Sequence, residues 1–308
     1  MRKTCLDMVY EIARKDDRVV FIGSDLGVAT LNQFKEEMPD RFFMEGISEA
    51  NVIGMAAGLA LEGRIVYVNT IASFLTRRCF EQVALDLCLH NLNVRLIGNG
   101  GGLVYAPLGP THEAIEDIAI FRALPGMTII APADADEMCR VIPLTVDYPG
   151  PVYIRLGKGG DPIVTNDLLP FVIGKGMIMH EGDDALVVTT GIMLKTALDS
   201  ARILATENIN VTVLHMPTIK PLDKACVLEF TARIPVIVTL EEHTIIGGLG
   251  SAVMEIIGEA NFTEPKRCKR LGIPDVFPDK YGSQAGLLAY YKLTANDLTK
   301  TIKQLRSL

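Results

Sequence analysis

Short apolar segments that favour β-strands alternate with helical segments along most of this 308-residue chain. The first half contains five such strand candidates, at residues 19–22, 41–44, 65–68, 94–97 and 128–131. Strands that are joined by helices usually lie parallel, because a parallel neighbour needs a long crossover connection. The alternation therefore predicts an α/β protein with two three-layer α/β/α domains and mostly parallel sheets. We place the domains at residues 1–160 and 185–308, with residues 161–184 as a linker.

The composition predicts well-filled cores and excludes two classes of partner. Hydrophobic residues make up 49% of the chain, charged residues make up 22%, and the net charge is −7. A negative chain without long basic runs does not provide the positive surface that nucleic acid requires. No apolar segment reaches the roughly 18 residues of a membrane-spanning helix, and the six cysteines show no CxxC spacing. We therefore expect a cytoplasmic protein with free thiols and with no membrane or nucleic-acid partner.

Residues 42–60 join a short apolar strand to a helix that is rich in small residues. Ser48 is a suitable N-cap for this helix. Gly54 and Gly58 in the helix interior each cost about 1 kcal/mol relative to Ala, so we expect another backbone or a flat ligand to approach closely there. Glu49 follows the N-cap, either as a first-turn acid favoured by the helix dipole or as a catalytic acid or base. The local pattern leaves both interpretations open.

His112 and Phe74 occupy positions from which a side chain can reach a ligand. His112 ends the motif Gly-Pro-Thr-His, where the pattern predicts the start of a helix. A histidine there can bind a phosphate or hydroxyl group or move a proton near neutral pH, but it can equally face solvent. Phe74 lies between a predicted strand and a predicted helix, where it can stack on a ligand ring or pack in the core.

Three basic side chains are further candidates for ligand contacts. Arg77 and Arg78 lie in the segment that follows Phe74, either as anion contacts or as solvated charges. Lys158 lies among glycines after the strand candidate at 152–156, where it can reach a phosphate or remain solvated. No Ser-His-Asp arrangement and no metal-binding cluster stands out. Taken separately, these signals do not decide the function.

Several blocks of sequence carry a family resemblance. They are residues 46–49, 57–60, 74–82, 109–113, 121–127, 132–134, 216–223, 241–243 and 247–250. The most specific are Gly-Ile-Ser-Glu at 46–49 and Gly-Pro-Thr-His-Glu at 109–113. In this order the blocks span essentially the whole chain, and they are similar to the transketolase family of thiamine diphosphate enzymes.

The resemblance implies that this chain is one subunit of a two-chain enzyme. Members of the family use one domain for the diphosphate and metal, one for the aminopyrimidine, and a C-terminal domain. This chain resembles the last two, and it lacks the Gly-Asp-Gly and later Asn that mark the first. The implied partner is an N-terminal, diphosphate-binding transketolase subunit in an α₂β₂ heterotetramer. Thiamine diphosphate would bind between the chains, with Mg²⁺ held by the partner and no metal ligand in this chain.

The resemblance also implies roles for four residues at the cofactor. Glu49 matches the glutamate that hydrogen-bonds N1′ of the aminopyrimidine, which makes it the expected catalytic acid. Phe74 matches the aromatic residue that stacks on the pyrimidine ring. Asp25 matches an acid near the cofactor and the subunit interface, and Arg77 is expected to contact the cofactor as well.

On the substrate side, the resemblance implies a catalytic and substrate-binding role for His112, and phosphate contacts for Arg2 and Lys158. Members that act on sugar phosphates often carry a His, an Asp and a Ser where this chain has Gly100, Leu108 and Ala29. These replacements remove polar groups from the substrate pocket. They favour a more apolar or differently decorated sugar over a generic sugar phosphate.

The expected function is transfer of a two-carbon ketol unit between sugars or sugar phosphates. A second interpretation is the β subunit of a 2-oxoacid dehydrogenase or decarboxylase, which shares the two-domain layout. Deoxyxylulose-phosphate synthases share the glutamate block, but their three domains normally lie in one chain. A degenerate regulatory subunit without catalysis is a fourth interpretation, which the presence of both Glu49 and His112 disfavours.

Overall fold

The computed structural model describes residues 1–23, 31–166 and 170–307. Two sheets with helices on both faces make up most of the described backbone. The predicted α/β class with mostly parallel sheets is confirmed. Asp25 and Ala29 lie outside the described residues, so the roles expected for them stay predictions.

The strands and helices are numbered in chain order. The strands of the described part are β1 (Val19–Gly23), β2 (Phe42–Met44), β3 (Ile65–Ile71), β4 (Val94–Asn99), β5 (Thr128–Ile130), β6 (Val152–Leu156), β7 (Met177–His180), β8 (Ala185–Thr189), β9 (Val211–His215), β10 (Thr218–Lys220), β11 (Val236–Thr244) and β12 (Arg267–Ile273). The helices are α1 (Arg2–Ala13), α2 (Asn32–Glu37), α3 (Glu49–Leu61), α4 (Ala72–Arg77), α5 (Phe80–Gln82), α6 (Asp117–Arg122), α7 (Ala135–Thr145), α8 (Met193–Ala205), α9 (Lys224–Arg233), α10 (Leu249–Glu259), α11 (Gln284–Tyr290) and α12 (Ala295–Arg306). None of these helices is long and apolar enough to cross a membrane.

The first sheet has the strand order β10-β5-β6-β4-β3-β1-β2, and only β10 runs antiparallel to its neighbour. Its strands are apolar on both faces, as expected of a parallel sheet between two helical layers. Val20, Ile22 and Val66 pack on the side of α3 and α4. Val19 and Phe21 point to the opposite face and join the core that α1 and α7 complete.

The second sheet has the order β12-β11-β8-β9-β7, and only β7 runs antiparallel to its neighbour. Alternate residues of its strands again pack into two different hydrophobic cores. Val187 and Val213 pack with α8 and α12, whereas Leu186 and Val188 pack with α9 and α10. Each sheet therefore forms the middle layer of its own three-layer unit.

Two edge strands and one helix boundary differ from the pattern that the sequence predicts. Strand β7 lies inside the predicted linker 161–184 but pairs with β9. Strand β10 comes from the second half of the chain but pairs with β5 in the first sheet. Both strands are too short to show an alternation of period two. The helix predicted to begin at His112 begins instead at Asp117 as α6, because residues 101–102 and Ala114 form a β-bridge.

The carboxyl ends of the parallel strands position the candidate functional residues. The chain leaves β2 toward Glu49, β3 toward Phe74, β4 toward the loop that carries His112, and β6 toward Lys158. These strands neighbour one another or are one strand apart, so their ends lie along one edge of the sheet. Ligand sites of open α/β sheets lie outside that edge.

Candidate active site

Glu49 is the first residue of α3 and is buried, with 5% of its surface exposed. Ser48 takes the N-cap position as predicted, but its hydroxyl donates to the Glu45 carbonyl at 2.8 Å instead of to the helix. The Glu49 carboxylate accepts a hydrogen bond from Arg78 Nη1 at 3.2 Å. The apolar setting expected for Glu49 therefore contains one cation.

Phe74, on α4, connects the Glu49 side of the site with His112. The guanidinium carbon of Arg78 lies 3.9 Å from the centroid of the Phe74 ring. The His112 ring approaches the same phenyl ring with a centroid distance of 5.1 Å and a tilt of 62°. Glu49, Phe74 and His112, which the sequence predicted as site residues, thus form one connected group through Arg78.

His112 is half-buried in a turn between β4 and α6. Its Nδ1 lies 2.8 Å from Thr111 Oγ1, and its carbonyl accepts a hydrogen bond from Ser73 Oγ at 3.1 Å. The second contact ties the loop of residues 109–116, which we call the histidine loop, to α4 next to Phe74. An imidazole held in this way can exchange a proton at a substrate oxygen.

Arg77 directs its donors at the histidine loop. It donates to the carbonyl of Pro110 at 3.0 Å and to that of Glu113 at 2.8 Å, and it pairs with the carboxylate of Glu116. We therefore assign Arg77 to holding this loop. The direct cofactor contact expected of Arg77 stays a prediction.

A cleft of about 210 Å³ brings together both cations that the sequence predicted for substrate binding. Arg2 comes from the start of α1, and Lys158 follows β6. The other lining residues are Asn99, Gly100, Val104, Tyr105, Pro107, Leu108 and Gly157. Two positive charges thus face a wall that is aromatic and aliphatic. That combination suits an anionic ligand with an apolar stretch beside its charge.

Tyr105 is a cleft residue that the sequence analysis missed. A Cβ added at Gly100 would come within 2.1 Å of the Tyr105 ring, and Gly100 has a φ of +75°. Tyrosine therefore fills the space that a larger side chain at position 100 would need. Burial raises the pKa of the Tyr105 hydroxyl, while Arg2 acts in the opposite direction. The only signal in the sequence was an aromatic residue five positions after Gly100 in the same glycine-rich loop.

A buried cluster of charges underlies the histidine loop, where the two units meet. Glu113 is fully buried, and neither carboxylate oxygen has a hydrogen-bond partner in the described part of the chain. Burial, with repulsion from Glu242, raises the pKa of Glu113 to about 7 against the pull of Arg77. Burial likewise raises the pKa of Glu242 to about 7, although it accepts hydrogen bonds from Leu103 N and Gln284 Nε2.

Replacing Glu113 with glutamine is expected to remove a pH-dependent loss of stability. A carboxyl with a raised pKa in the folded state favours folding fully below its unfolded pKa, near 4.5, and that contribution is lost as the pH rises through about 7. At about pH 8, Glu113→Gln should therefore raise the free energy of unfolding by about 1–3 kcal/mol, and only a small part of that gain should remain at about pH 5, just above the unfolded pKa. Urea denaturation at both pH values measures this. Glu229→Gln on the exposed side of α9 is the control, and an equal gain at both pH values would contradict the assignment.

The described part of the chain contains no grouping of three His, Cys, Asp or Glu side chains that could hold a metal ion. Two groups that can hold a flat organic ring are present. They are the buried carboxylate of Glu49 and the ring face of Phe74. The planar guanidinium of Arg78 already contacts both. A flat group with N–H donors, such as an aminopyrimidine, matches this pair.

Comparison with known proteins identifies the family. Residues 1–160 match the family model of the transketolase pyrimidine-binding domain. Residues 174–298 match that of the transketolase C-terminal domain. Together the two models account for most of the chain.

Two similar proteins are named as transketolase subunits. The 6-deoxy-6-sulfo-D-fructose transketolase subunit of Clostridium sp. (strain MSTE9) is 37% identical over 305 residues, which cover 97% of this chain and 92% of the relative. An apulose-4-phosphate transketolase subunit of Phocaeicola vulgatus is 36% identical over 302 residues, which cover 97% of this chain and 95% of the relative.

A solved structure agrees with both the fold and the family. The split-gene transketolase described as an inactive β4 tetramer is 35% identical to this chain and superimposes with a TM-score of 0.90. The match covers 100% of this chain and 98% of the other. The resemblance found in the sequence is therefore confirmed. This chain belongs to the transketolase family of thiamine diphosphate-dependent enzymes and carries its pyrimidine-binding and C-terminal domains.

Proposed function

We propose that this chain is the pyrimidine-binding subunit of a two-chain transketolase that moves a two-carbon ketol unit between sugars. The observation that carries the proposal is the buried carboxylate of Glu49 beside the ring of Phe74. Both contact the same planar group, the guanidinium of Arg78. The family supplies the expectation of thiamine diphosphate, and these two side chains suit its aminopyrimidine.

Thiamine diphosphate supplies the electrophilic centre that allows a ketose carbon–carbon bond to break. Glu49 holds a proton between its carboxylate and N1′ of the aminopyrimidine, and burial keeps water from competing for it. Phe74 supports the face of the ring and keeps it flat against the site. His112, which contacts Phe74, lies within reach of a substrate oxygen in the same site and exchanges protons there.

Arg2 and Lys158 favour a sugar that carries a phosphate or sulfonate group. The cleft has two cations and no carboxylate among its lining residues. Tyr105 and Leu108 provide apolar contact beside those cations, in place of the polar groups of generic sugar-phosphate enzymes. Both relatives reported above are named for sugars with an anionic group, one sulfonated and one phosphorylated, which supports this choice.

The partner subunit supplies Mg²⁺ and the diphosphate contacts in an α₂β₂ heterotetramer. The outer face of α3 supports docking of another chain. Side chains added at Gly54 or Gly58 would meet nothing within 4 Å, so a second backbone can approach closely. Leu61 and Leu89 are exposed on and beside this helix. The similarity to a tetramer of one subunit that is described as inactive supports a requirement for the partner.

The test is reconstitution with a partner chain that carries the Gly-Asp-Gly and Asn pattern. The two subunits, mixed with Mg²⁺ and thiamine diphosphate, should cleave a ketose and pass its two-carbon unit to an aldose acceptor. The ketose panel should contain phosphorylated, sulfonated and neutral sugars, and we expect the neutral sugars to be poor substrates. The similarity to named transketolase subunits disfavours the 2-oxoacid dehydrogenase alternative. Release of CO₂ from pyruvate without ketose cleavage would nevertheless decide for that alternative.

A further inference from the structure

Arg78 makes two contacts that the proposed cofactor site also requires. Its Nη1 donates to Glu49 Oε2 at 3.2 Å, and its guanidinium lies over the Phe74 ring at 3.9 Å. A guanidinium is planar and delocalised, donates hydrogen bonds from its edge, and stacks on aromatic faces. An aminopyrimidine has the same features in a larger ring: a flat face, and N–H groups and ring nitrogens at its edge.

The two planar groups cannot make these contacts together. An aromatic face accommodates one stacked group at van der Waals distance, and the guanidinium already lies at that distance from Phe74. The role proposed for Glu49 also needs its carboxylate to meet N1′, and Arg78 Nη1 already donates to Oε2 of that carboxylate.

Arg78 is free to move away from these contacts. It follows the last residue of α4, and its side chain is 50% exposed, whereas Glu49 is 5% exposed. A half-exposed guanidinium regains water when it rotates outward. Exposed ion pairs are weak for the same reason. The mobile member of the group is therefore the arginine and not the glutamate.

We propose that Arg78 occupies the pyrimidine subsite of the free chain and moves to solvent when the aminopyrimidine binds. The contact keeps the buried Glu49 carboxylate paired and competes directly with the cofactor. This inference rests on the proposed function, because that function places the aminopyrimidine between Glu49 and Phe74.

The experiment measures binding to the purified full-length chain. The probe is the neutral hydroxymethyl aminopyrimidine that forms the pyrimidine half of thiamine, titrated by ligand-observed NMR. We expect Arg78→Ala to lower the Kd about tenfold, which corresponds to about 1.4 kcal/mol. In the wild type, raising NaCl from about 0.05 to about 0.5 M should lower the Kd about threefold, because salt screens the competing ion pair. In Arg78→Ala this salt effect should disappear. A change that only disturbed the fold would not produce that difference.

Two further variants serve as comparison and control. Arg78→Lys keeps the charge but not the planar group, so its Kd should lie between those of the wild type and Arg78→Ala. Arg233 has a similar environment far from the site, since it is 49% exposed, pairs with Asp183 at 3.0 Å and lies 4.6 Å from the Phe230 ring. Arg233→Ala should leave the Kd unchanged. Thermal unfolding followed by circular dichroism verifies that each variant folds.

The outcomes separate this inference from the function on which it rests. An unchanged or higher Kd in Arg78→Ala would overturn the inference, and so would the absence of binding in both the wild type and Arg78→Ala. The double variant Arg78→Ala/Glu49→Ala should bind the probe about tenfold more weakly than Arg78→Ala, since it loses a buried hydrogen-bond partner. If the double variant bound as tightly as Arg78→Ala, the placement of the aminopyrimidine at Glu49 would fail, whatever the effect of Arg78.

Discussion

Replacing Glu49 with glutamine is expected to lower the kcat of the reconstituted enzyme about 100-fold or more, the usual contribution of a positioned acid or base. Glutamine keeps the size of the side chain and its ability to form hydrogen bonds. It cannot take up and return a proton, which is the step assigned to the carboxylate. The measurement is the initial rate of ketose cleavage at saturating thiamine diphosphate, so that weaker cofactor binding does not contribute.

The control for this substitution is Glu62→Gln at the other end of the same helix. Glu62 follows α3 as its C-cap and is exposed, so the change alters the charge of the same helix without touching the site. Glu62→Gln should retain full activity. An active Glu49→Gln enzyme would remove the catalytic assignment and would favour a regulatory subunit. Size-exclusion chromatography with the partner tests whether the variant still assembles.

The sequence predicted those parts of the candidate site that lie within continuous motifs. Glu49, Phe74 and His112 each belong to a block with a recognisable local pattern, and the structure brings these blocks together at the carboxyl ends of β2, β3 and β4. Arg2 and Lys158 lie far apart in sequence but line one cleft. A parallel sheet makes such a meeting predictable, because its strands end at the same edge at which the helices packed on it begin.

The pairings among charged side chains could not be predicted in the same way. Arg77 and Arg78 are adjacent in a charged segment, yet one holds the histidine loop and the other contacts Glu49. Local patterns encode which face of a helix is buried, but not which distant partner a long side chain reaches. The same limit applies to β10, whose three residues pair with a strand almost ninety positions earlier.

Two arginines hold the histidine loop from opposite sides. Arg77 binds carbonyls of the loop from α4, the helix that also carries Phe74. Arg155, on β6, is buried and donates to the Ala114 carbonyl at 3.2 Å and to Asp117 Oδ2 at 2.8 Å. It also donates to the Glu242 carbonyl at 2.9 Å, in the C-terminal unit. Because one guanidinium bonds both units, the position of His112 depends on how the two units pack together.

Replacing Arg155 with methionine is expected to lower the free energy of unfolding by about 3–5 kcal/mol, the range found when one member of a buried ion pair is removed. Asp117 is fully buried, and Tyr153 is its other hydrogen-bonding neighbour, at 2.7 Å. Burial opposes ionisation of Asp117, and Arg155 overcomes that effect and holds its pKa below the ordinary range. Without Arg155 the carboxylate would be buried with no compensating charge. Urea denaturation at about pH 7.5 measures the loss.

The pH dependence of this loss shows whether it comes from the unpaired Asp117 carboxylate or from the lost packing of the arginine side chain. In Arg155→Met, burial without the cation should raise the pKa of Asp117, so the folded state is favoured when the carboxyl is protonated. The deficit relative to the wild type should therefore shrink as the pH falls from about 7.5 to about 5. The double variant Asp117→Asn/Arg155→Met has no charge to strand at position 117. It should show a smaller deficit with a weaker pH dependence, the part that comes from the lost attraction between Arg155 and Glu242. Equal deficits in the single and double variants at both pH values would mean that the arginine contributes packing alone, and that the loop bearing His112 does not depend on this ion pair.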